Sequence, residues 1–243
     1  MKVSSTVVFL FKDPEGFGPA IAGALRPNPS SSSLTREERF ELSLERYGIR
    51  DRKASGDLVH FLDDEGNYQV SVLLLDKYDP PVLACALNEV LGEIKVGTSS
   101  ELPTLIVPFA SPSSKLKWEK KDSVTNDSKV VLYGVQVGPE TNVSRGIAAK
   151  TQKSSPLLQI HYEPIACLLQ CARLLKLPAS ILIARGTRSL SDNALGEEME
   201  LIGEIGDFLA NTTCLSFSRD KLRCDPRKTT PRSDAESWRA LYG

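Results

Sequence analysis

The sequence predicts an α/β protein, a single three-layer α/β/α sandwich with a mainly parallel sheet and a flexible C-terminal tail. Three observations carry that expectation. Short runs rich in β-branched and apolar residues alternate with segments of helical apolar period. The order strand, helix, strand occurs twice, as expected of right-handed parallel crossovers. The last stretch, 214–243, is polar and too poor in apolar residues to pack, so the folded body is expected over 1–213.

In chain order, Thr6 to Phe11 reads as a strand, and Asp13-Pro14 through Gly18-Pro19 as turn chemistry. Residues 27–34, with Pro27, Pro29 and a serine run, predict a mobile loop. Thr35 and Glu38 fit a capping box, and Phe40, Leu44 and Tyr47 follow at helical spacing, which predicts a short helix ending before Gly48. Asp57 to Leu62 and Tyr68 to Leu75 flank Asp63-Asp64-Glu65-Gly66-Asn67 and predict a hairpin. Asp79 is the expected cap of a helix starting at Pro80, with Leu83, Leu87, Val90 and Ile94 as one apolar stripe. Leu105 to Phe109 is the next strand.

The pattern then repeats. Val130 to Val137 reads as a strand ending at Gly138-Pro139, and a helix from Pro164 turns Ile165, Leu168, Leu169, Ala172 and Leu175 inward before Pro178. Ser180 to Ala184 follows as a strand. A last helix from about Ser191 to Asn211 aligns Leu195, Met199, Ile202 and Leu209. The stretches 122–128 and 138–155 read as long surface connections.

Composition limits the function classes. The chain has 243 residues, 30 basic and 31 acidic side chains and a net charge of -1, which gives no support for wholesale nucleic-acid or anionic-membrane binding. The apolar run Val7 to Phe11 is too short for a signal-peptide core, and no segment approaches the ~20 apolar residues of a membrane span. A soluble protein of the cytoplasm, and of the nucleus as a second compartment, is expected. Cys85, Cys167, Cys171, Cys214 and Cys224 are odd in number and lack framework spacing, so reduced thiols are expected.

Catalytic patterns are sparse. His60 alternates with apolar neighbours in a strand and reads as structural or half-exposed; His161 precedes the helix at Pro164. There is no Gly-x-Ser-x-Gly elbow, and Gly134-Val135-Gln136-Val137-Gly138 lacks the Lys and Ser/Thr of a phosphate-binding loop. Cys167 and Cys171, four apart, could share a metal but lack a second ligand pair and read as core. No cofactor or metal is expected. Two alternatives stay open: a small α/β hydrolase or nucleoside-processing enzyme using His161 near Cys167 or Cys171, and a general protein-interaction adaptor using Trp118 within the basic run Lys115 to Lys121, or the Arg-rich tail.

The ending Leu241-Tyr242-Gly243 is the most specific feature. Leu fills a small pocket, the Tyr ring offers rigid area with a hydroxyl tip, and a terminal carboxylate is an anion. Burial of the two side chains supplies ~1.5–3 kcal/mol each and the carboxylate's charged hydrogen bond ~1.5–3 more. Ordering the tail offsets much of this, leaving an anchor of about millimolar strength that needs a second contact. From Arg219 onward, seven Lys or Arg face four Asp or Glu, a mildly basic lead-in.

This ending resembles the hydrophobic-tyrosine-any (HbYX) motif of proteasome activators and assembly chaperones. Pro156-Leu157-Leu158, the helix from Pro164 to Leu175, Leu177-Pro178-Ala179, Ile181-Leu182 and the run from Val82 to Val90 are similar to the proteasome assembly chaperone 1 family, in a plant- or protist-type form. The resemblance spans about 68–185 plus the last three residues. The first 50 residues match no part of that family's pattern, and the acidic leading extension of animal members is missing. The resemblance implies a non-catalytic chaperone of the 20S proteasome α-ring, working as a heterodimer with a related chaperone. It also implies that Leu241, Tyr242 and Gly243 enter a pocket between neighbouring α-subunits.

Overall fold

In the computed structural model, the described residues are 1–29, 34–97, 101–110, 116–117, 130–154, 158–186 and 194–223. The elements are β1 (Thr6–Phe11), α1 (Phe17–Ala24), β2 (Leu25–Arg26), β3 (Thr35–Ser43), a 3-10 turn (Glu45–Tyr47), β4 (Lys53–Leu62) and β5 (Tyr68–Leu75). Next come α2 (Val82–Val96), β6 (Thr104–Ala110), β7 (Leu116–Lys117), β8 (Val130–Val137), α3 (Asn142–Lys150), β9 (Gln152–Lys153) and β10 (Gln159–Ile160). The chain continues through α4 (Glu163–Leu175), β11 (Ala179–Gly186), α5 (Ala194–Thr213), β12 (Ser216–Phe217) and α6 (Arg219–Arg223).

Eight strands form one sheet in the order β3-β4-β5-β1-β6-β11-β8-β9. Alternation of side chains across each strand makes the three layers. On one face Val7, Phe9, Leu73, Leu105, Val107 and Ile181 lie beneath Leu87 and Leu91 of α2 and Ile165 and Leu168 of α4. On the other, Val8, Leu10, Val72, Ile106 and Leu182 lie beneath Ile21 of α1, Ile147 of α3, and Ile202, Ile205 and Leu209 of α5. Leu87 and Leu91 are fully buried, each a contribution of about 2 kcal/mol from apolar area alone. The three-layer sandwich expected from the sequence is the observed architecture.

The parallel part is β5-β1-β6-β11, and four of the seven strand pairings in the sheet are parallel. The first crossover, β5-α2-β6, is as expected. The second is not: β8 runs antiparallel to β11, and β11 takes β6 as its parallel neighbour. The chain order Val130 to Val137, helix, Ser180 to Ala184 carries no information on direction.

Several expected elements differ. The segment read as a helix from Thr35 is the edge strand β3, antiparallel to β4 from Thr35↔Phe61 to Ser43↔Lys53. Phe40 and Leu42 alternate with exposed neighbours, and pairing to β4 overrides the capping box and the 3.6 spacing. Only Glu45–Tyr47 turns, ending at Gly48 with φ 78°. The Asp13 to Pro19 turn contains α1, whose first amides, on Phe17 and Gly18, donate to the Asp13 carboxylate at 2.9 and 2.7 Å. Gly18 is required there, because a Cβ would run into the Phe11 carbonyl. Helix α2 begins at Val82, with Pro81 at its cap and no side-chain cap from Asp79. The 138–155 connection holds α3, capped reciprocally by Thr141 and Ser144. The stretch from 214, expected to lie outside the folded body, carries β12 and α6 in its described part.

Candidate functional site

In an open α/β sheet, ligands favour the carboxyl edge where neighbouring strands send their connections to opposite faces. That point lies between β1, which leads to α1, and β5, which leads to α2. The residues just past both strand ends, Lys12 and Asp76, meet there. Lys12 Nζ donates to Asp76 Oδ1 at 2.6 Å and pairs with Asp57 Oδ2 at 2.7 Å. Arg39, reaching across from β3, donates through Nη2 to Asp76 Oδ2 at 2.9 Å and through Nη1 to Asp57 Oδ1 at 3.3 Å. Ser55 Oγ completes the set, donating to Asp76 Oδ2 at 2.7 Å, and Tyr78 ties the Ser55 amide at 2.7 Å while donating to the Lys53 carbonyl at 2.9 Å.

The electrostatics are those of a closed account between two cations and two carboxylates. Burial would lower the Lys12 ammonium, but the bonds to Asp57 and Asp76 outweigh it and hold it above its ordinary value. Burial likewise would raise Asp76, yet Lys12, Ser55 and the charge of Arg39 keep it below the usual carboxylate range. A lysine held more firmly charged is a poor base and a poor nucleophile. This cluster therefore joins β1, β3, β4 and β5 rather than presenting a reactive group.

A second polar constellation sits on the α2 side of the sheet, at its opposite end. His60 of β4, fully buried, lies beside Ser71 of β5, its direct register partner. His60 Nδ1 is 2.9 Å from Ser71 Oγ, and Nε2 is 3.3 Å from Glu38 Oε1 on β3. The Ser4 amide donates to Ser71 Oγ at 2.9 Å. Tyr68 stacks on the imidazole with centroids 4.1 Å apart. The side-chain types are those of a Ser-His-acid triad, but Ser71 and His60 are both at 0% exposure, so no substrate can approach the hydroxyl. The sequence placed His60 in a strand; it did not reveal Ser71 or Glu38, because their approach depends on the β3-β4-β5 register, with Glu38 expected in a helix.

The thiols come together more than the sequence suggested. Cys167 and Cys171 are hydrogen-bonded on α4, and Cys85 of α2 acts electrostatically on both. Burial raises both α4 thiols, Cys171 to about 11, so they stay protonated at neutral pH. Among the described residues no group of three or more His, Cys, Asp or Glu is arranged to hold a metal ion. His161 is exposed on the approach to α4.

Leu241, Tyr242 and Gly243 lie outside the described residues, as do Trp118 with Lys115 and Lys121, the 122–128 stretch, Pro156, Leu157 and residues 30–33 of the 27–34 loop. The root of the tail is within them. Ser218 N–H donates to the Ala24 carbonyl at 3.0 Å, β12 pairs with β2, and Ser216 Oγ reaches the Pro27 carbonyl at 3.0 Å. Arg219 then bridges Glu204 at 2.9 Å and Asp207 at 2.8 Å on α5. The described residues thus end beside α1 and α5, on one face of the sandwich. No helix among them is long and apolar enough to cross a membrane.

A family model described as a domain of unknown function, DUF7894, matches residues 1–243. No curated protein matches the chain. Among solved structures, the chain is similar to a protein of unknown function from Thermoplasma acidophilum, with 10% identity and a TM-score of 0.53 over 91% of this chain and 83% of that one. It is similar to an unknown-function protein of Mycobacterium tuberculosis, with 12% identity and a TM-score of 0.52 over 90% and 71%. PbaA of Pyrococcus furiosus, an archaeal homolog of proteasome-assembly chaperone, aligns with 12% identity and a TM-score of 0.49 over 92% and 83%. The first two likenesses establish a shared fold.

Proposed function

The chain belongs to the DUF7894 family, and for a member built on this sandwich we propose a non-catalytic role in assembling the α-ring of the 20S proteasome. The observation that carries the proposal is Leu241-Tyr242-Gly243, an apolar residue, a tyrosine and one further residue at the end of a polar, mildly basic segment. In this reading Leu241 plugs an apolar pocket between two α-subunits, Tyr242 packs its ring at the rim, and Gly243 bears a free carboxylate that pairs with a cation there. The short reach of three residues gives weak binding alone, so a second chaperone of related fold, held as a heterodimer partner, supplies the remaining contact by raising effective concentration. The tail's excess of positive charge speeds encounter with acidic subunit surface, an effect that salt weakens. The protein acts in the cytoplasm and the nucleus.

Two features of the folded body suit this role. The polar clusters at Lys12 and at His60 are internally satisfied, and the tail root is pinned to α1 and α5 so that the segment beyond Arg223 starts from a fixed point.

The test is co-purification of proteasome α-subunits with the full chain, its terminal residue verified by intact mass. Tyr242→Ala should weaken capture about tenfold to a hundredfold, the loss expected for ~1.5–3 kcal/mol of buried ring. One residue added after Gly243 should abolish the carboxylate contact in the same way, with unchanged circular dichroism for both proteins. Undiminished α-subunit capture by both would defeat the proposal.

A further inference from the structure

Helix α1 differs from every other helix among the described residues. Its sequence, Phe-Gly-Pro-Ala-Ile-Ala-Gly-Ala, carries no charged or polar side chain, whereas α2, α3, α4, α5 and α6 each carry several. Gly18, Ile21 and Ala24 turn inward and are buried. Pro19 and Gly23, four apart and so on one side of the helix, are exposed, and Phe17, Ala20 and Ala22 are half-buried. A Cβ added at Gly23 would meet nothing within 4 Å. The outer stripe of a surface helix ordinarily carries charge, so an apolar outer stripe beside partly exposed apolar side chains has the character of a contact surface.

The position of α1 says what it meets. Helix α6 packs against it, the half-buried Leu222 joins the same apolar cluster, and Ser218 N–H donates to the Ala24 carbonyl at 3.0 Å. Residues 224–243 therefore start beside the outer face of α1. Fully extended, they reach at most about 70 Å. Two linked contacts reinforce each other only where the connecting segment spans them without strain. Turning α1 toward the surface that receives the last three residues leaves the shortest path; turning α2 and α4 toward it sends the segment round the edge of the sheet.

We propose that the outer face of α1, centred on Pro19, Gly23 and Phe17, is a second docking surface, seated on an apolar patch of the proteasome α-subunit beside the pocket that takes Leu241-Tyr242-Gly243. This inference rests on the ring-docking reading and adds the face of the body that meets the ring. The chemistry of the patch follows from the residues. With glycine, proline and alanine outermost, the α1 backbone lies close to the surface, so large apolar side chains of the α-subunit fill the contact and α1 supplies the flat floor. Such a floor tolerates no unpaired charge.

A matched pair of glycines provides the test. Gly23 on α1 and Gly92 on α2, in the opposite layer, both have open space where a Cβ would stand. Gly23→Glu and Gly92→Glu change the net charge equally, and both full chains should keep the unmodified urea midpoint. Gly23→Glu should weaken quantitative capture of α-subunits at least about tenfold, through a carboxylate forced into an apolar contact. Gly92→Glu should leave it within about twofold, as expected of a surface change away from the contact. Hydrogen exchange on the unmodified chain needs no substitution: addition of α-subunits should slow the α1 amides about tenfold or more and leave those of α2 unchanged.

Undiminished capture by Gly23→Glu, equal losses in both variants, or α1 exchange unaltered by α-subunits would each overturn the proposal. So would self-association of the free chain that Gly23→Glu abolishes, which assigns the face to a second copy. Faster proteolysis of 224–243 in free Gly23→Glu would assign it to the chain's own C-terminal segment and overturn it likewise. Capture lost in Tyr242→Ala but intact in Gly23→Glu removes this inference alone, whereas an unmodified chain that captures no α-subunits removes it together with the ring-docking reading.

Discussion

The ring of Phe217 lies against the backbone of Gly206, so closely that a Cβ at 206 would fall well inside contact distance of three ring atoms. The contact locks β12, and with it the start of the C-terminal segment, onto the middle of α5. Glycine costs a helix interior about 1 kcal/mol relative to alanine, so its presence there is explained by the ring it admits.

Gly206→Ala should therefore destabilise the protein despite a better helix propensity. The ring must swing out, with a net cost of about 1–3 kcal/mol in urea unfolding. Limited proteolysis between Ser216 and Arg223 should accelerate in parallel. An increase in stability would show that Phe217 repacks freely.

Two glycines of left-handed backbone separate conformational strain from steric exclusion. Gly48 has φ +78° and open space where a Cβ would stand, whereas Gly138 has φ +76° and would bring a Cβ to 2.5 Å from the Leu177 carbonyl oxygen. Gly48→Ala should cost about 1 kcal/mol, from backbone strain alone. Gly138→Ala should cost at least about 2 kcal/mol more, because the β8 end and the α4–β11 junction must part. Denaturant midpoints of the two variants provide the comparison.

Asp76 makes a prediction at low pH. Its carboxyl sits below the usual range, so its contribution is present above about pH 3.9, the unfolded value, and is lost as pH falls through the lower folded value. Asp76→Asn should cost about 1–2 kcal/mol at pH 7, allowing for a partly exposed and screened setting. Its acid unfolding limb below pH 4 should be shallower than that of the unmodified protein. Equal limbs would place the acid sensitivity elsewhere.

Thr141→Ala tests the cap of α3. Thr141 Oγ1 accepts the Ser144 amide at 3.1 Å and also receives the Thr104 hydroxyl at 2.9 Å, so the side chain joins the helix to β6. Its removal should cost about 1–2 kcal/mol in thermal or chemical unfolding, and Thr141→Ser should restore most of it.

Much of the sandwich was legible because the central strands β1, β5, β6 and β11 are mostly buried apolar runs and α2 and α4 carry one clean stripe each. Val130 to Val137 and Tyr68 to Leu75 have the bounds the sequence predicts. The failures have local causes. Around Phe40 the apolar spacing fits two periods, and only pairing with β4 chooses between them. The glycines and proline of α1 read as turn residues because the Asp13 carboxylate that organises its first turn is a tertiary detail. Strand direction in β8 was invisible for the same reason. The polar clusters were harder still: Lys12, Arg39, Asp57 and Asp76 are scattered along the chain, and the sheet order alone assembles them. The candidate interaction residues Leu241, Tyr242 and Gly243 come from sequence alone.

The edge strand carries Arg36, Glu37, Glu38, Arg39 and Glu41 in a stretch where a sheet would otherwise grow. A further strand docking there would have to strip water from a dense row of mixed charge, with no apolar surface in return beyond Leu42. The sheet is thus terminated chemically on that side, and any fibre-like stacking of copies through β3 is blocked for as long as the strand stays in register.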